Sequence, residues 1–215
     1  MLSHHINQFE LFISSLEVKL RGILPGEEAH LKMIPENRRS LIRPLYDAGK
    51  VRQSAVLILL FQEDGKTKTV FIKRNTYEGV HSGQISFPGG RFEESDSSLL
   101  ATALREAEEE VNIPSSEVCV IGMLSPLFIQ ASNFEVLPVV GYLTKVPTLI
   151  PDPTEVESVF TCEVEVFFQP NAKQTIEIEL INKTKIKAPC FMVSDFCIWG
   201  ATSMILSELI ELINN

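Results

Sequence analysis

The sequence has few cysteines, and none of them is arranged to bind a metal. Only four occur in 215 residues, at positions Cys119, Cys162, Cys190 and Cys197. No CxxC pair is present, and no cysteine lies at metal-ligand spacing from a histidine. Three of the four stand in apolar surroundings, which predicts free and mostly buried thiols. A reducing cytoplasm is the compartment that this pattern predicts.

Long apolar runs and positive charge are also scarce. No stretch approaches the ~18 apolar residues of a membrane span, and the N-terminus lacks the pattern of a signal peptide. The net charge of −9 predicts a surface that repels nucleic acid and anionic lipid. The densest basic patch is small and consists of Arg38, Arg39 and Arg43. We therefore predict a small-molecule partner, and an acidic protein that acts on phosphates would need metal cations at the contact.

The chain length predicts one domain with an extension. Apolar residues recur at helical spacing over residues 6–20, and residues 25–50 have no clear period. We interpret residues 1–50 as an N-terminal helix and a linker or wrapped arm, and residues 51–215 as the main domain. The apolar face of the N-terminal helix has two possible partners, a second copy of the chain in a homodimer or its own domain.

The main domain mixes strands and helices, which favours an α+β or layered α/β fold. An apolar run at 54–61, a turn at 63–65 and a β-branched run at 69–73 predict a β-hairpin. A short strand at 84–87 is expected to end at Pro88-Gly89-Gly90. Further strands are predicted near 117–122, at 134–144 and as an alternating region at 163–181, and a helix is predicted at 201–213.

The strongest helix signal covers residues 97–111. Its apolar positions form one stripe, made of Leu100, Ala103, Leu104, Ala107 and Val111. Serines and an aspartate at 96–98 are N-cap candidates, and residue 112 is an asparagine that can adopt the left-handed conformation of a helix C-terminus. Pro114 blocks continuation of the helix.

Three carboxylates on this helix, Glu106, Glu109 and Glu110, project within one arc of about 100° that borders the apolar stripe. They repel one another unless a cation neutralises them, and a hard divalent cation such as Mg²⁺ or Mn²⁺ prefers such oxygen ligands. Arg105 can pair with Glu109. A solvated acidic face is the alternative interpretation, and it is the commoner one for a run of this kind.

The segment Phe87-Pro88-Gly89-Gly90 lies just upstream of the helix. Two glycines after a proline give a tight loop whose backbone can approach a ligand closely, although a plain turn would look the same. The loop and the acidic helix together, separated by a short spacer, are more specific than either part.

These residues resemble the Nudix box, G-x5-E-x7-R-E-U-x-E-E-x-G-U, where U is aliphatic. Arg105, Glu106, Glu109, Glu110 and Ile113 match it directly, and Ala107 is a small residue at U. Gly90 and Asp96 match the opening glycine and acid, with Asp in place of Glu. The gap from Asp96 to Arg105 is one residue longer than the pattern, and Asn112 replaces the second glycine.

The resemblance implies an α/β/α sandwich with a mixed sheet, here with an N-terminal helical extension. It also implies hydrolysis of a diphosphate linkage that depends on Mg²⁺ or Mn²⁺. The implied metal ligands are Glu106, Glu109 and Glu110. Arg105 and the box glutamates are the implied catalytic residues, and the base is either a box glutamate or a later acid. Glu155 fits that later position, while a charge at a helix N-terminus is its alternative interpretation.

The longer spacer and the upstream motif are similar to the coenzyme A pyrophosphatase branch of this family. The upstream matches, which are candidate substrate contacts, are Arg74, Gly83, Phe87, Gly89 and Gly90. Ile72, Asn75 and Gly79 depart from the motif. Gly79 stands where the branch has a second arginine, and Lys73 or His81 could take its role.

Three functions follow from the resemblance. The first is cleavage of coenzyme A or its derivatives to 3′,5′-ADP and 4′-phosphopantetheine. The second is cleavage of another nucleoside diphosphate derivative, of the ADP-ribose type. The third is a catalytically silent protein that binds a nucleotide as a sensor.

Overall fold

The computed structural model describes residues 7–35, 51–76, 83–179 and 185–215. The helices in these ranges are α1 (Gln8–Leu20), α2 (Gly26–Leu31), α3 (Leu99–Val111) and α4 (Ala201–Asn214). The strands are β1 (Arg52–Glu63), β2 (Lys66–Arg74), β3 (Ile85–Ser86), β4 (Gly89–Arg91), β5 (Cys119–Met123), β6 (Leu127–Ile129), β7 (Phe134–Tyr142), β8 (Val156–Glu163), β9 (Lys173–Glu179), β10 (Lys185–Val193) and β11 (Phe196–Trp199). Short 3-10 turns cover Ser115–Glu117 and Val164–Phe168.

Strands β1 to β8 form one mixed sheet. Its central order is β3-β2-β1-β7-β5, with β4 paired to β1, β6 to β7 and β8 to β2. The β1–β7 pair is parallel and the other pairs are antiparallel. A second, antiparallel sheet has the order β11-β10-β9.

The hairpin of β1 and β2 forms where the sequence predicts it. Glu63 pairs with Lys66, so the connection has only two residues, Asp64 and Gly65. Both have positive φ angles, 52° and 75°, which is the twist that a two-residue hairpin requires. Strand β1 crosses the middle of the sheet and is buried on both faces, which explains its nearly continuous apolar run.

Helices cover both faces of the mixed sheet. On one face, Ala103, Ala107 and Val111 of α3 pack against one set of alternating β1 side chains. On the other face, apolar residues of α1 and α4 pack against the second set. The predicted layered architecture of helices around a mixed sheet is therefore confirmed.

Helix α3 is built as its sequence predicts. The Ser98 hydroxyl accepts a hydrogen bond from the Ala101 N–H at 3.2 Å and caps the first turn. Asn112 ends the helix in the left-handed conformation, with φ 59° and ψ 40°. The replacement of glycine by asparagine at this position of the box is therefore compatible with the helix end.

The N-terminal helix α1 docks on its own domain. Phe9, Ile13, Leu16 and Leu20 are buried in the core cluster that also contains α4. The apolar face of α1 thus packs against its own domain, which was one of the two partners considered for it. A homodimer stays an untested prediction. The interpretation of residues 25–50 as a linker or wrapped arm stays a prediction. Its start contains α2 (Gly26–Leu31), a helix too short to show a period in the sequence, and residues 36–50 lie outside the described residues.

The alternating strands predicted at about 163–181 are confirmed for β9 and wrong for the first part of that range. The first strand of this region, β8, begins earlier at Val156, and residues 164–168 form a 3-10 turn. β8 pairs with β2, nearly a hundred residues upstream, so long-range pairing decided its position. Strands β10 and β11 were not predicted. The four cysteines are free, with Cys162 and Cys190 buried.

Every helix in the described ranges is too short or too polar to cross a membrane.

A buried carboxylate links α2 to α4. Glu208 of α4 pairs with His30 Nε2 at 2.8 Å and accepts hydrogen bonds from the backbone N–H groups of Gly26 and Ser125 at 3.0 and 3.2 Å. Burial opposes ionisation, but these donors outweigh it and lower the pKa of Glu208. The ionised carboxylate therefore stabilises the folded chain.

We expect Glu208→Gln to lower the free energy of unfolding by about 1–3 kcal/mol at pH 7, because neutral Gln accepts these bonds more weakly. The lowered pKa makes the contribution of Glu208 present above its unfolded pKa of roughly 4.3 and lost as the pH falls through the folded value. Urea unfolding at pH 7 and in acid should show a difference that shrinks in acid. A difference that stays constant with pH would contradict this account.

Candidate active site

Arg105 joins four groups around the acidic end of α3. Its guanidinium binds both carboxylate oxygens of Asp96, at 2.8 and 3.0 Å. It also contacts Glu109 at 2.8 Å, Glu106 at 3.0 Å and the Arg91 carbonyl at 3.0 Å. The pairing of Arg105 with Glu109, which the sequence suggested, is present. One arginine thus orients two of the three box glutamates and ties α3 to β4.

Asp96 is itself held in place. Its carboxylate accepts hydrogen bonds from the Thr102 hydroxyl at 2.9 Å and from the Glu93 N–H at 3.0 Å. The Arg105 guanidinium holds the pKa of Asp96 far below its usual range. Asp96 is shorter than the Glu of the general pattern and lies one residue further from Arg105. The bidentate pair nevertheless forms, so the two departures from the box compensate each other here.

We expect Thr102→Val to loosen this assembly without disturbing the core. Valine keeps the shape of the fully buried threonine but removes the hydroxyl that donates to Asp96. Loss of a group that orients active-site side chains lowers activity by about 10- to 100-fold. Steady-state kinetics with a diphosphate substrate measure this, and Thr102→Ser, which keeps the hydroxyl, is the matched control. Equal rates for both variants would contradict the role of the hydroxyl.

Glu110 lies beneath the loop that precedes the box. Its carboxylate accepts a hydrogen bond from the Gly89 N–H at 2.8 Å and lies 3.3 Å from the Arg74 guanidinium. Only 2% of its side chain is exposed. Arg74 also contacts the Gly89 carbonyl at 3.3 Å. The upstream motif and the box, far apart in sequence, therefore meet at Glu110.

The two glycines of the loop are required for different reasons. A Cβ at Gly89, where φ is 153°, would lie 2.4 Å from the Ala55 carbonyl oxygen of β1. A Cβ at Gly90 would lie 2.4 Å from the carboxylate of Glu106. The preceding strand β3 ends before Pro88, as predicted, but the plain-turn alternative is wrong, because Gly89–Arg91 forms β4 and pairs with β1. Close approach of the β1 backbone explains Gly89, and close approach of the Glu106 carboxylate explains Gly90.

Negative charge is concentrated at this end of α3. Burial raises the pKa of Glu110 to about 7, and the charges of Glu106 and Glu155 add to the effect against that of Arg74. Burial also raises the pKa of Glu106, again with a contribution from Glu155 and against the charge of Arg105. These carboxylates lie close enough to destabilise one another's ionised forms. A divalent cation would relieve that repulsion, so the chemistry of this donor set fits a metal.

The three predicted ligands do not share one environment. Glu110 and Glu106 are largely buried at the edge of the core, as the helical wheel predicts, but 58% of the Glu109 side chain is exposed. The prediction is wrong for Glu109 because, at about 100° per residue, this position lies across α3 from the apolar stripe, where Arg105 holds the side chain. Within the described ranges, no three His, Cys, Asp or Glu side chains are gathered into a ligand cluster. Arg105, Arg74 and Gly89 hold the glutamates instead.

Glu155 lies in the turn before β8 and is exposed. The alternative interpretation of Glu155 as a charge at a helix N-terminus is therefore wrong. Its backbone carbonyl accepts a hydrogen bond from the Asn75 N–H at 3.0 Å, which fixes the turn beside the end of β2. Its charge reaches both Glu106 and Glu110. The structure thus brings this later acid to the same site as the box.

A cavity of about 280 Å³ opens beside the loop. Its apolar wall includes Val56, Phe87 and Ile205, and the ionisable residues that line it within the described part of the chain are Arg74 and Arg91. Phe87 is almost fully buried and stacks on Phe71, with the ring centroids 4.7 Å apart. The cavity wall at Phe87 is therefore continuous with the packing of the core. Gly89 and Gly90 line the same cavity, which therefore adjoins the glutamates.

The remaining predicted contacts are less informative. Gly83 has a φ of 65° and its N–H donates to the Asn75 carbonyl at 3.3 Å, so it shapes the chain before β3. His81 and Gly79 lie outside the described residues. Sequence analysis missed Arg91, Thr102 and the first turn of α4 as parts of the site. Only the position of Arg91 directly after the two glycines was a usable signal.

Comparison with known proteins gives a family. The model of the NUDIX domain matches residues 51–189. The mitochondrial Nudix hydrolase 15 of Arabidopsis thaliana is 37% identical over 167 residues, which cover 74% of this chain and 58% of that protein. NudL of Pectobacterium atrosepticum, an uncharacterized Nudix hydrolase, is 33% identical over 169 residues, which cover 78% of this chain and 84% of that protein.

The chain thus spans little more than half the length of the Arabidopsis protein. Among solved structures, a MutT/nudix family protein from Enterococcus faecalis superposes with a TM-score of 0.52 at 14% identity, covering 91% of this chain and 76% of that one. This similarity concerns the fold alone. Together with the extent of the domain match, it leads to one conclusion: the chain belongs to the Nudix family.

Proposed function

We propose that this protein is a pyrophosphohydrolase that cleaves the diphosphate linkage of a nucleoside diphosphate derivative with the help of Mg²⁺ or Mn²⁺. One observation carries the proposal. Arg105 and the Gly89 N–H hold Glu106, Glu109 and Glu110 next to a cavity that, among the described residues, is lined by Arg74 and Arg91. Such a reaction needs carboxylates that bind the cation and, beside them, arginines that bind the phosphate oxygens.

The residues that would hold the cation are Glu110, Glu106 and Glu109, in decreasing order of burial. When bound, the cation supplies positive charge that neutralises the diphosphate and favours attack at phosphorus. Arg105 acts as a positioning residue, since its contacts are to the glutamates and to Asp96. Arg74 and Arg91 bind phosphate oxygens from the cavity side.

Proton transfer is assigned to the carboxylates. Glu155 is exposed, and its charge is felt by both buried glutamates, so it is placed to accept the proton of the attacking water. Glu106 is the alternative acceptor, because burial raises its pKa toward that of an effective base. Pre-steady-state rates of Glu155→Gln and Glu106→Gln across the pH range would separate the two.

The proposed substrate is coenzyme A or one of its derivatives, with 3′,5′-ADP and 4′-phosphopantetheine as products. The upstream motif supports it, since Arg74 and Gly89 of that motif contact Glu110 of the box directly. The longer spacer between Asp96 and Arg105, with its compensating geometry, supports it as well.

Anaerobic incubation with coenzyme A and Mg²⁺ or Mn²⁺, with products identified by mass spectrometry, tests the substrate. We expect the two named products in equal amounts. Robust cleavage of ADP-ribose or dinucleoside polyphosphates without cleavage of coenzyme A would overturn the substrate and keep the reaction class. Gly79, where the branch has an arginine, is the feature that favours this second candidate.

A cytoplasmic location and a small-molecule nucleotide partner are part of the same proposal. The four free thiols support the location. The arginine-lined cavity supports the partner. Neither the homodimer nor the boundary at residue 50 is needed for the proposed reaction.

A further inference from the structure

The end of strand β2 contacts two acidic parts of the site. Arg74, the last residue of β2, lies 3.3 Å from the Glu110 carboxylate. Asn75, the next residue, donates from its backbone N–H to the Glu155 carbonyl at 3.0 Å. The pairing of β2 with β8 shifts its register between Lys73 and Arg74. A shift of this kind redirects the side chains that follow it, and here the two residues that follow it contact different parts of the site.

The side chain of Asn75 adds a second bond to the turn that carries Glu155. Its Nδ2 donates to the Pro153 carbonyl at 3.0 Å, while its backbone N–H donates to Glu155. Asn75 therefore holds the turn at two points. Position 75 is one of those at which this chain departs from the upstream motif. A residue without an amide donor could make the backbone bond but not the side-chain bond, so this departure supplies the second point of attachment.

The last turn of α3 holds the same segment from the other side. The backbone N–H groups of Ile150 and Asp152 donate to the carbonyls of Val111 and Glu110 at 3.2 and 3.0 Å. Carbonyls at the end of a helix lack partners within it, so they are available to a neighbouring segment. The Asp152 carbonyl in turn accepts the Glu155 N–H at 3.2 Å. Two consecutive backbone bonds thus connect Glu155 to Glu110.

We propose that the Asn75 side chain positions Glu155 to accept the proton of the attacking water. The end of α3 fixes the start of the segment, and Asn75 fixes the turn that follows. The side chain of Glu155 is exposed, so the place of its carboxylate follows from the backbone of that turn. Asn75 is not among the described residues that line the cavity, so it acts through Glu155 rather than on the substrate. The inference rests on the proposed function and adds a positioning residue to it.

Amide hydrogen exchange of the metal-free protein tests the attachment independently of activity. Asn75→Ala keeps the backbone bond to Glu155 and removes only the bond from Nδ2. Loss of one hydrogen bond should raise the exchange rates of the Glu155 and Val156 amides, which donate to the Asp152 carbonyl, by about 2- to 10-fold. The Ile150 amide, which α3 holds, should keep its rate. Unchanged rates at both Glu155 and Val156 would overturn the proposal.

A double-mutant cycle distinguishes the positioning of Glu155 from a general structural role. The original chain, Asn75→Ala, Glu155→Gln and the double variant are assayed with Mg²⁺ and coenzyme A, or ADP-ribose if coenzyme A is not cleaved. In the original chain, Asn75→Ala should lower kcat by about 10-fold and change KM by less than about 2-fold, because a displaced proton acceptor affects the transition state. In the Glu155→Gln background, the same substitution should change kcat by less than about 2-fold.

Two further variants and the activity of the original chain complete the test. Asn75→Gln keeps the amide donor and should recover most of the rate. Asn171→Ala, at an exposed asparagine in the turn before β9, is the control and should keep the original rate. Equal losses from Asn75→Ala in both backgrounds, or no loss in either, would refute the role of Asn75 and leave the proposed function standing. Absence of cleavage by the original chain would refute the proposed function, and faster exchange in Asn75→Ala would then still assign Asn75 to the turn.

Discussion

Glu110→Gln should reduce kcat by at least about 10³-fold, the loss expected when roughly 4 kcal/mol of transition-state stabilisation disappears. Glutamine keeps the volume of the buried side chain and can still accept the hydrogen bond from the Gly89 N–H. Its neutral amide, however, removes the most buried of the candidate metal ligands. The measurement is the rate of diphosphate cleavage at saturating Mg²⁺ or Mn²⁺.

The stability of the metal-free protein should not fall with the activity in Glu110→Gln. The pKa of Glu110 is raised to about 7, so its ionised form is disfavoured in the folded chain. Stability therefore falls as the pH rises from the unfolded pKa of roughly 4.3 to the folded pKa, and the loss is complete above it. In the metal-free protein at pH 8, Glu110→Gln should therefore melt no lower than the original chain. Glu108→Gln is the matched control, because Glu108 is exposed on the same helix and bonds to Ser115. An unchanged rate in Glu110→Gln would mean that Glu110 takes no part in the reaction.

Alanine in place of either glycine of the segment Phe87-Pro88-Gly89-Gly90 should impair the protein, but the two variants should lose different properties. In Gly89→Ala the added methyl group meets backbone atoms of Ala55 and Val56 at 2.4–2.6 Å, which a side-chain movement cannot relieve. We expect the free energy of unfolding to fall by about 2–4 kcal/mol from overpacking and from the strained φ. Both thermal unfolding and activity should be affected.

Gly90→Ala should leave the fold nearly intact and still impair the reaction. There the three atoms nearest to the methyl group belong to the carboxylate end of Glu106, a flexible side chain that can move away. We expect a stability loss below about 1 kcal/mol but a fall in kcat of roughly 10²-fold, as when a catalytic group is displaced by about 1 Å. Gly65→Ala is the control for glycine replacement, since that turn residue has a positive φ but no neighbour within 4 Å. Equal activity in Gly90→Ala and Gly65→Ala would contradict the position assigned to Glu106.

Local signals in the sequence were sufficient for the elements that carry the catalytic residues. The Asp64–Gly65 turn between two apolar runs gave the hairpin, and the stripe on residues 97–111 gave α3 with its start and end to within two residues. These features depend on neighbours one to four residues apart. The same short-range logic correctly paired Arg105 with Glu109.

Features that depend on contacts between residues far apart in the chain could not be predicted from the sequence. The position of β8 follows from its register with β2, and β4 exists only because β1 offers an edge for it. The contact of Arg74 with Glu110 crosses 36 residues, and the buried pair of His30 and Glu208 crosses 178.

The resemblance to the Nudix box predicted the reaction. The structure adds the positions and partners of the three glutamates that support this prediction. A helical wheel alone left the acidic run open to interpretation as a solvated face. The partners of each carboxylate now distinguish the three glutamates. Glu110 is tied to the loop, Glu106 lies under Gly90, and Glu109 is held from the solvent side by Arg105.

Hydrolysis of a panel of nucleoside diphosphate derivatives, with added Mg²⁺ or Mn²⁺ and with EDTA in its place, tests the central claim most directly. The panel should include coenzyme A, dephospho-coenzyme A, ADP-ribose and dinucleoside polyphosphates. We expect cleavage of the diphosphate linkage in at least one of them, and only when the cation is present. Cleavage that persists in EDTA, or nucleotide binding without cleavage of any substrate, would contradict a metal-dependent reaction at the glutamates of α3.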